Sequence, residues 1–593
     1  MQRDMGYAYA RHLESLKIID MESFTTRRLA LGLFHFNPHW GADAACSRRH
    51  CAEGLGPFLK VVEAHPKWKI SFEISGSGLE ILARSYASQF DRLAALVSSG
   101  QLELISSLYS PSLWVAFPRR DLVRSIEMNL EVLEKLNLPA KRIFFAQEAF
   151  FGEGVRTLKQ YFDVAICKDD YLNYIYRIDR QRPIWRLGDL RVVVASGHLL
   201  RESVCELGKP SVDASGLSYR HKSYIEAAKD SNLASANPMR TGRFGAVEWL
   251  WYHCGDGNHF STISKPANQE ISFKDEAWTR WNERILCRLE DGGYQLCNIG
   301  DLVSSISPEF DDPLPPLIEG SWNPEASKGI LRWMGDCSKP WQNDNRILTT
   351  ITRARLRLLA AEREGARFAD LRGTSVDLFN SAWKKVLEAQ GSDYLGWDPS
   401  HLAVEAGIQA AEMALSEATG LADALLPWTQ AEDNRCPKFA GEIPHHCSLA
   451  RPTIFGAQGA GGWTQHKPDC WTWEARFRSC EVEFGVEFDM PSSELEFSPS
   501  GDETKILTIP LASLKPDVIV LPLSNGLLRL DHDWYVVKDL TTVHVAAQII
   551  RGRQVVRFSI RGARSGRDYL WTFHFVKGTA GRAVEVANSI NGA

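Results

Sequence analysis

Between about Arg28 and Val303, short wholly apolar runs alternate with amphipathic stretches, and few architectures accept that pattern. The runs are Leu29–Phe36, Lys69–Ile74, Leu102–Ile105, Arg142–Phe145, Val164–Cys167, Arg191–Ala195 and Val247–Tyr252. Apolar runs of this length suit strands covered on both faces, as in parallel sheets. Helical periodicity falls between most of them, as in Leu122–Leu136 and Lys274–Leu289. Strand–helix alternation predicts parallel β/α units, and seven such units fit a barrel. A doubly wound sheet is the competing arrangement.

The rest of the chain changes texture twice. After a Pro-, Trp- and Gly-rich segment, three stretches with apolar residues at i, i+3 and i+4 predict a three-helix bundle. From about Ser448 short alternating strands, such as Cys480–Phe488 and Val555–Ile560, predict an antiparallel β-sandwich, with Gly552 in a turn. The expected organisation is an N-terminal extension (1–28), a (β/α)7 catalytic barrel (29–303), a Trp-rich loop covering the active site (304–345), a helical bundle (346–427) and a β-sandwich (428–593).

Composition adds exclusions. The 68 Lys and Arg against 73 Asp and Glu, net −5, argue against binding nucleic acid by bulk electrostatics. No apolar run is long enough to cross a membrane. The N-terminus carries no secretory pattern, and no two of the 12 cysteines have C-x-x-C spacing. The expectation is a cytoplasmic protein with reduced thiols and no cofactor. The 19 tryptophans suit either a large core or the clamping of sugar rings.

In a β/α barrel the reactive groups sit at the C-terminal strand ends. These ends read His35-Phe36-Asn37 for the first strand, Glu73 for the second and Tyr109 after the third. Gln147-Glu148 follows the fourth and Lys168 closes the fifth, while His253, Asp256 and His259 follow the seventh. Two carboxylates stand out. Glu148 interrupts an aromatic run, where a carboxylate is costly unless it faces a polar cavity. Asp256 lies in a Gly-Asp-Gly-Asn turn. Two carboxylates across a cleft are the minimum for glycosidic bond cleavage. The plain structural alternatives are an ion pair of Glu148 with Lys168 and an ordinary Asp-Gly turn. His35, His39, Asp43, His198, His253 and His259 supply a metal alternative, although Pro38 disfavours a helical His35–His39 pair. Trp251 and Trp322 are the expected sugar platforms, whereas Trp471 and Trp473 read as packing.

These motifs resemble glycoside hydrolase family 57. Gly100-Gln101-Leu102-Glu103-Leu104 with Tyr109-Ser110-Pro111 is similar to its second motif, and Phe145-Ala146-Gln147-Glu148-Ala149-Phe150 to its third. Asp256-Gly257-Asn258-His259-Phe260 resembles the fourth, Gly320-Ser321-Trp322 the loop after the barrel, and Ala389-Gln390-Gly391-Ser392-Asp393 the fifth. The resemblance covers about residues 29–427. It implies a retaining α-glycosidase or glycosyl transferase acting on α-linked oligosaccharides, with Glu148 as nucleophile and Asp256 as general acid/base. His35, Asn37, Glu73, Tyr109, Lys168, Trp251, His253, His259 and Trp322 would bind the substrate, and no metal would be needed. Departures fall at Phe36-Asn37, Ser110 and Asn258, where a sugar would be gripped. A metal-dependent deacetylase or mannosidase, the latter sharing the barrel-plus-bundle plan, and a non-catalytic glycan-binding protein are the alternatives.

Overall fold

The computed structural model describes residues 26–38, 47–48, 50–176, 182–196, 241–260, 262–264, 271–273, 276–322, 329–335, 339–365, 374–396, 399–425, 452–467, 469–499, 504–531, 533–562 and 566–592. Seven parallel strands form where the apolar runs predict them. They are β1 (Arg27–Phe36), β2 (Ile70–Ile74), β3 (Leu102–Ser106), β4 (Lys141–Phe144), β5 (Val164–Lys168), β7 (Leu190–Ala195) and β9 (Val247–Asp256). Their order in the sheet is β7-β5-β4-β3-β2-β1-β9. Helix α1 (Gly56–Ala64) follows β1, α2 (Gly76–Ser85) and α3 (Ala87–Ser99) follow β2, α4 (Arg119–Lys135) follows β3 and α5 (Asp169–Ile175) follows β5, while a 3-10 segment, Glu153–Gln160, links β4 to β5.

The sheet curls into a barrel without direct pairing of its first and last members. Two antiparallel strands, β6 (Ile184–Leu187) on β7 and β8 (Thr241–Phe244) on β9, cover the outer edges of the parallel set, and the short stretch Asp312–Pro313 pairs beyond β6. Side chains bridge the two edges: Phe244 of β8 lies 5.3 Å from the ring of Phe310, which precedes Asp312–Pro313, and the guanidinium of Arg182, which precedes β6, stands 5.3 Å over Phe244. Inward residues Leu29, Leu31, Leu33, Ile105, Ile143, Ile166, Val193, Trp249 and Trp251 share one buried cluster, which the curl requires. Burying each contributes roughly 1.5–3 kcal/mol.

Beyond β9 come a small antiparallel pair, β10 (Thr262–Ser264) with β11 (Ile271–Phe273), then α6 (Glu276–Asp291) and β12 (Gln295–Cys297). Strand β12 pairs in parallel with the start of β1, a short eighth parallel strand beyond the seven expected. Helix α7 (Ile299–Ser305) follows, held at its start by Ser71 Oγ on Ile299 N and the Glu103 carboxylate on Gly300 N.

The bundle comprises α8 (Asp344–Gly365), α9 (Thr374–Ala389) and α10 (His401–Leu425). A sandwich of antiparallel sheets follows, one of five strands and one of seven. The alternating burial of Cys470–Ser479 packs Trp471 and Trp473 inward, Trp473 against Phe488 and Phe573. Gly552 lies in the turn joining Ala547–Ile550 to Val555–Arg561. Helix α11 (Ala580–Asn591) returns to the bundle, where Arg355 donates to the carbonyls of Asn591 and Gly592. No helix among the described residues is long and apolar enough to cross a membrane.

Candidate active site

Alternation along β1 carries Leu29, Leu31 and Leu33 into the barrel and then brings His35 to the same face at its mouth. In register, His35 stands between Glu73 of β2 and Asp256 of β9. That alignment depends on a bulge. Leu31 pairs with Trp251 and Gly32 with His253, so Tyr252 is an extra residue on β9. A Cβ on Gly32 would lie 2.3 Å from the Tyr252 ring, so a glycine makes room for the bulge. The phase shift turns His253 to the outer layer, where it stacks on Phe34 at 4.4 Å. It also brings Asp256 into the row of His35.

Glu148 follows β4 in a left-handed conformation, φ 56°, and Ala149 repeats it at 49°. Two such non-glycine residues cost about 1–3 kcal/mol each and are held by their surroundings. The Gly-Ser-Trp loop supplies that hold. Phe151 and Gly320 exchange backbone hydrogen bonds of 3.0 and 2.8 Å. A Cβ on Gly320 would overlap the Tyr171 ring, so only glycine fits there. Ser321 Oγ donates to the Glu148 carbonyl at 2.7 Å, and Trp322 Nε1 donates to the Glu148 carboxylate at 2.6 Å. Lys168 Nζ, nearly buried, stands 5.7 Å over the Trp322 ring. Glu148 is thereby fixed by its backbone and by one carboxylate oxygen.

Gln147 reaches the other way, donating to Glu73 at 3.4 Å. Glu73 is fully buried. Burial pushes its carboxyl up to about 7 against the lowering influence of His35, Ser107 and Gln147. Asn37 at the end of β1 donates to Asp393 of the bundle at 2.7 Å. The segment around Asp393 is tied to the barrel by Ser392 N to Pro111 O and Leu113 N to Gln390 O. Gln390 also donates to Asp121 at 2.7 Å, and Asp121 in turn holds the buried Arg355. A charge and amide network thus joins barrel, bundle and C-terminal helix behind the site.

Several expected substrate contacts are placed elsewhere. Trp251 is wholly buried in the barrel interior beside Trp249 and offers no platform. Tyr109 turns its hydroxyl to Glu80 and Glu388 in the seam between barrel and bundle. His253 lies in the outer layer, as above. Lys168, Glu73, His35 and Asn37 lie at or just past the ends of β5, β2 and β1, and Trp322 lies in the loop after the barrel, against Glu148. The side chains of Asp256 and His259, and all of His39, Asp43 and His198, fall outside the described residues. Because His35 and His253 occupy opposite faces of the sheet, they cannot ligate one ion. Among the described residues, His65, Cys287 and Glu290 form the grouping compact enough for a metal, and His65 precedes β2, away from the mouth. Sequence reasoning missed Gln147, Ser321 and Asp393 as contributors, although each stands inside a motif it had quoted.

No protein-family model matches the chain. A segment is 27% identical over 138 residues to an α-amylase of Pyrococcus horikoshii, covering 23% of this chain and 22% of that protein. Another match is a 4-α-glucanotransferase of Thermococcus litoralis, 28% identical over 130 residues, covering 22% and 20%. The chain thus spans about a fifth of the length of the curated relatives it matches. These relatives bear out the resemblance to glycoside hydrolase family 57. An α-mannosidase of Enterococcus faecalis superposes with a TM-score of 0.59 at 9% identity, covering 95% of this chain and 89% of that one, a likeness of fold.

Proposed function

We propose that the protein is a retaining α-glycoside hydrolase or glycosyl transferase acting on α-linked oligosaccharides. The observation that carries the reading is the fixation of Glu148. Its backbone is held in a left-handed turn by Ser321, and one carboxylate oxygen is held by Trp322. Such a carboxylate is held in a set direction, as attack on an anomeric carbon requires. The amylase and glucanotransferase names of the partial relatives support the substrate class.

In this mechanism Glu148 attacks the anomeric carbon while Asp256 gives its proton to the departing glycosidic oxygen. A covalent glycosyl-enzyme and a free sugar result. Asp256 then takes a proton from water or an acceptor hydroxyl, whose oxygen displaces Glu148 with a second inversion. Lys168 balances negative charge beside Trp322, and Asn37 with Asp393 grips sugar hydroxyls. We assign catalysis to the barrel (29–303), cover to 304–345, and one wall of the cleft to the bundle (346–427). The region 428–593 braces them. We place the protein in the cytoplasm, since no disulfide joins the cysteines among the described residues.

A screen of aryl α-glycosides and α-linked oligosaccharides, with the anomeric configuration of the first product followed, tests this reading. Turnover with retention is expected. Absence of turnover across the panel, or inversion, would overturn it.

A further inference from the structure

A second cluster of chemically active side chains lies at the other end of the barrel from Glu148, where the strands begin. His65 follows α1 in the turn that leads to β2, and Glu283, Cys287 and Glu290 stand on α6, which leads to β12. Their i, i+4, i+7 spacing puts the three on one stripe of the helix. His65 Nε2 lies 2.7 Å from a Glu283 carboxylate oxygen. Ligand atoms of His65, Cys287 and Glu290 all lie within 4.8 Å of one another. An imidazole, a thiol and two carboxylates thus converge from two separate elements.

The donors are held rather than loose. The His65 turn is pinned by Trp68 N on the His65 carbonyl at 2.9 Å, and the Gln101 amide donates to the same carbonyl at 3.2 Å. The buried Trp68 ring stacks on the His65 ring at 3.8 Å, and its indole N–H donates to Glu290 at 2.7 Å. One tryptophan thereby orients a nitrogen donor and a carboxylate, as the outer partners of metal ligands do. A plain His65–Glu283 ion pair leaves unexplained a thiol set on the stripe between two carboxylates. Burial, and then the charges of Glu283, Glu290 and Asp291, push the Cys287 thiol up. The same charges favour a dication, whose binding releases the thiol proton to solvent. Tetrahedral zinc, with bonds of about 2.0–2.3 Å, sets its ligand atoms roughly 3.3–3.6 Å apart. That spacing falls between the 2.7 and 4.8 Å seen here, within reach of side-chain rotation. Sulfur and imidazole select zinc over magnesium or calcium, which take oxygen.

We propose that His65, Glu283, Cys287 and Glu290 form a zinc site that clasps α6 to the turn between α1 and β2. The site is structural, lies away from the barrel mouth and does not depend on the proposed function. The test uses the full chain, stripped of metal with a chelator and then titrated with zinc, and with cobalt(II) as a spectroscopic probe. The wild type is expected to bind zinc, to unfold at a higher temperature with zinc present, and to show a sulfur-to-cobalt charge-transfer band. Cys287→Ser should lose the band. Cys287→Ser and Glu290→Gln should each bind zinc about tenfold or more weakly, at least the loss seen when an outer partner of a ligand is removed. Cobalt bound to the wild type without the charge-transfer band, a band that survives in Cys287→Ser, or zinc affinity unchanged in both variants would overturn the site. The cobalt spectrum of the wild type decides the question even where a variant fails to fold.

Discussion

Replacing Trp322 by Phe isolates one hydrogen bond to the carboxylate of the proposed nucleophile. Phe keeps an aromatic ring beneath Lys168 but deletes the indole N–H that lies 2.6 Å from the Glu148 carboxylate. A hydrogen bond to a charged group contributes about 1.5–3 kcal/mol. Ser321 still holds the Glu148 backbone, so the loss falls on the direction and solvation of the carboxylate. If that energy is expressed in the transition state, kcat falls by roughly ten- to 150-fold. KM should change little, because the N–H addresses the enzyme's own carboxylate. The assay is steady-state kinetics on the best substrate of the screen, with thermal unfolding as control. A kcat within twofold of wild type, in a variant that folds normally, would refute the claim that Trp322 positions Glu148.

Two further outcomes follow from buried charge. Glu73 has its folded pKa raised to about 7 from an ordinary value of 4.5, so the native state holds the proton more tightly than the unfolded chain. Its stabilising contribution is fullest below pH 4.5 and is lost as pH rises through about 7, by on the order of 3 kcal/mol. Glu73→Gln should therefore flatten the decline of unfolding temperature between pH 5 and 8 (roughly the window set by that shift). Parallel wild-type and variant curves would contradict this. Arg355 is buried against Asp121 and also holds the last turn of α11, so Arg355→Met strands a buried carboxylate and should destabilise by about 3–5 kcal/mol. Calorimetry showing an unchanged transition would count against that role.

The sequence made the seven parallel strands legible because burial on both faces leaves a continuous apolar run. It did not show β6 and β8, which are four residues each and reverse at Gly188 and Gly245, both with φ near 60°. They cover the outer edges of β7 and β9, so those two strands do not pair with each other. The same limit governed the site. Simple alternation along β9 continues the inward face from Trp249 and Trp251 to His253. The bulge at Tyr252 breaks that phase, so His253 turns outward and Asp256 aligns with His35. A bulge is set by packing against Gly32 on a neighbouring strand, which local pattern does not report. Glu148 was legible because a carboxylate in an aromatic run needs a reason. Its partner Trp322, 174 residues away, was found through a motif and not through periodicity.

The central claim is that Glu148 becomes covalently glycosylated during turnover. A fluorinated α-glycosyl fluoride, which slows release of the intermediate, combined with intact-mass measurement and peptide mapping, tests it most directly. The account predicts one added glycosyl unit, carried on the peptide containing Glu148 and absent from Glu148→Gln. A label on another carboxylate, or normal turnover with no label and an active Glu148→Gln variant, would contradict it.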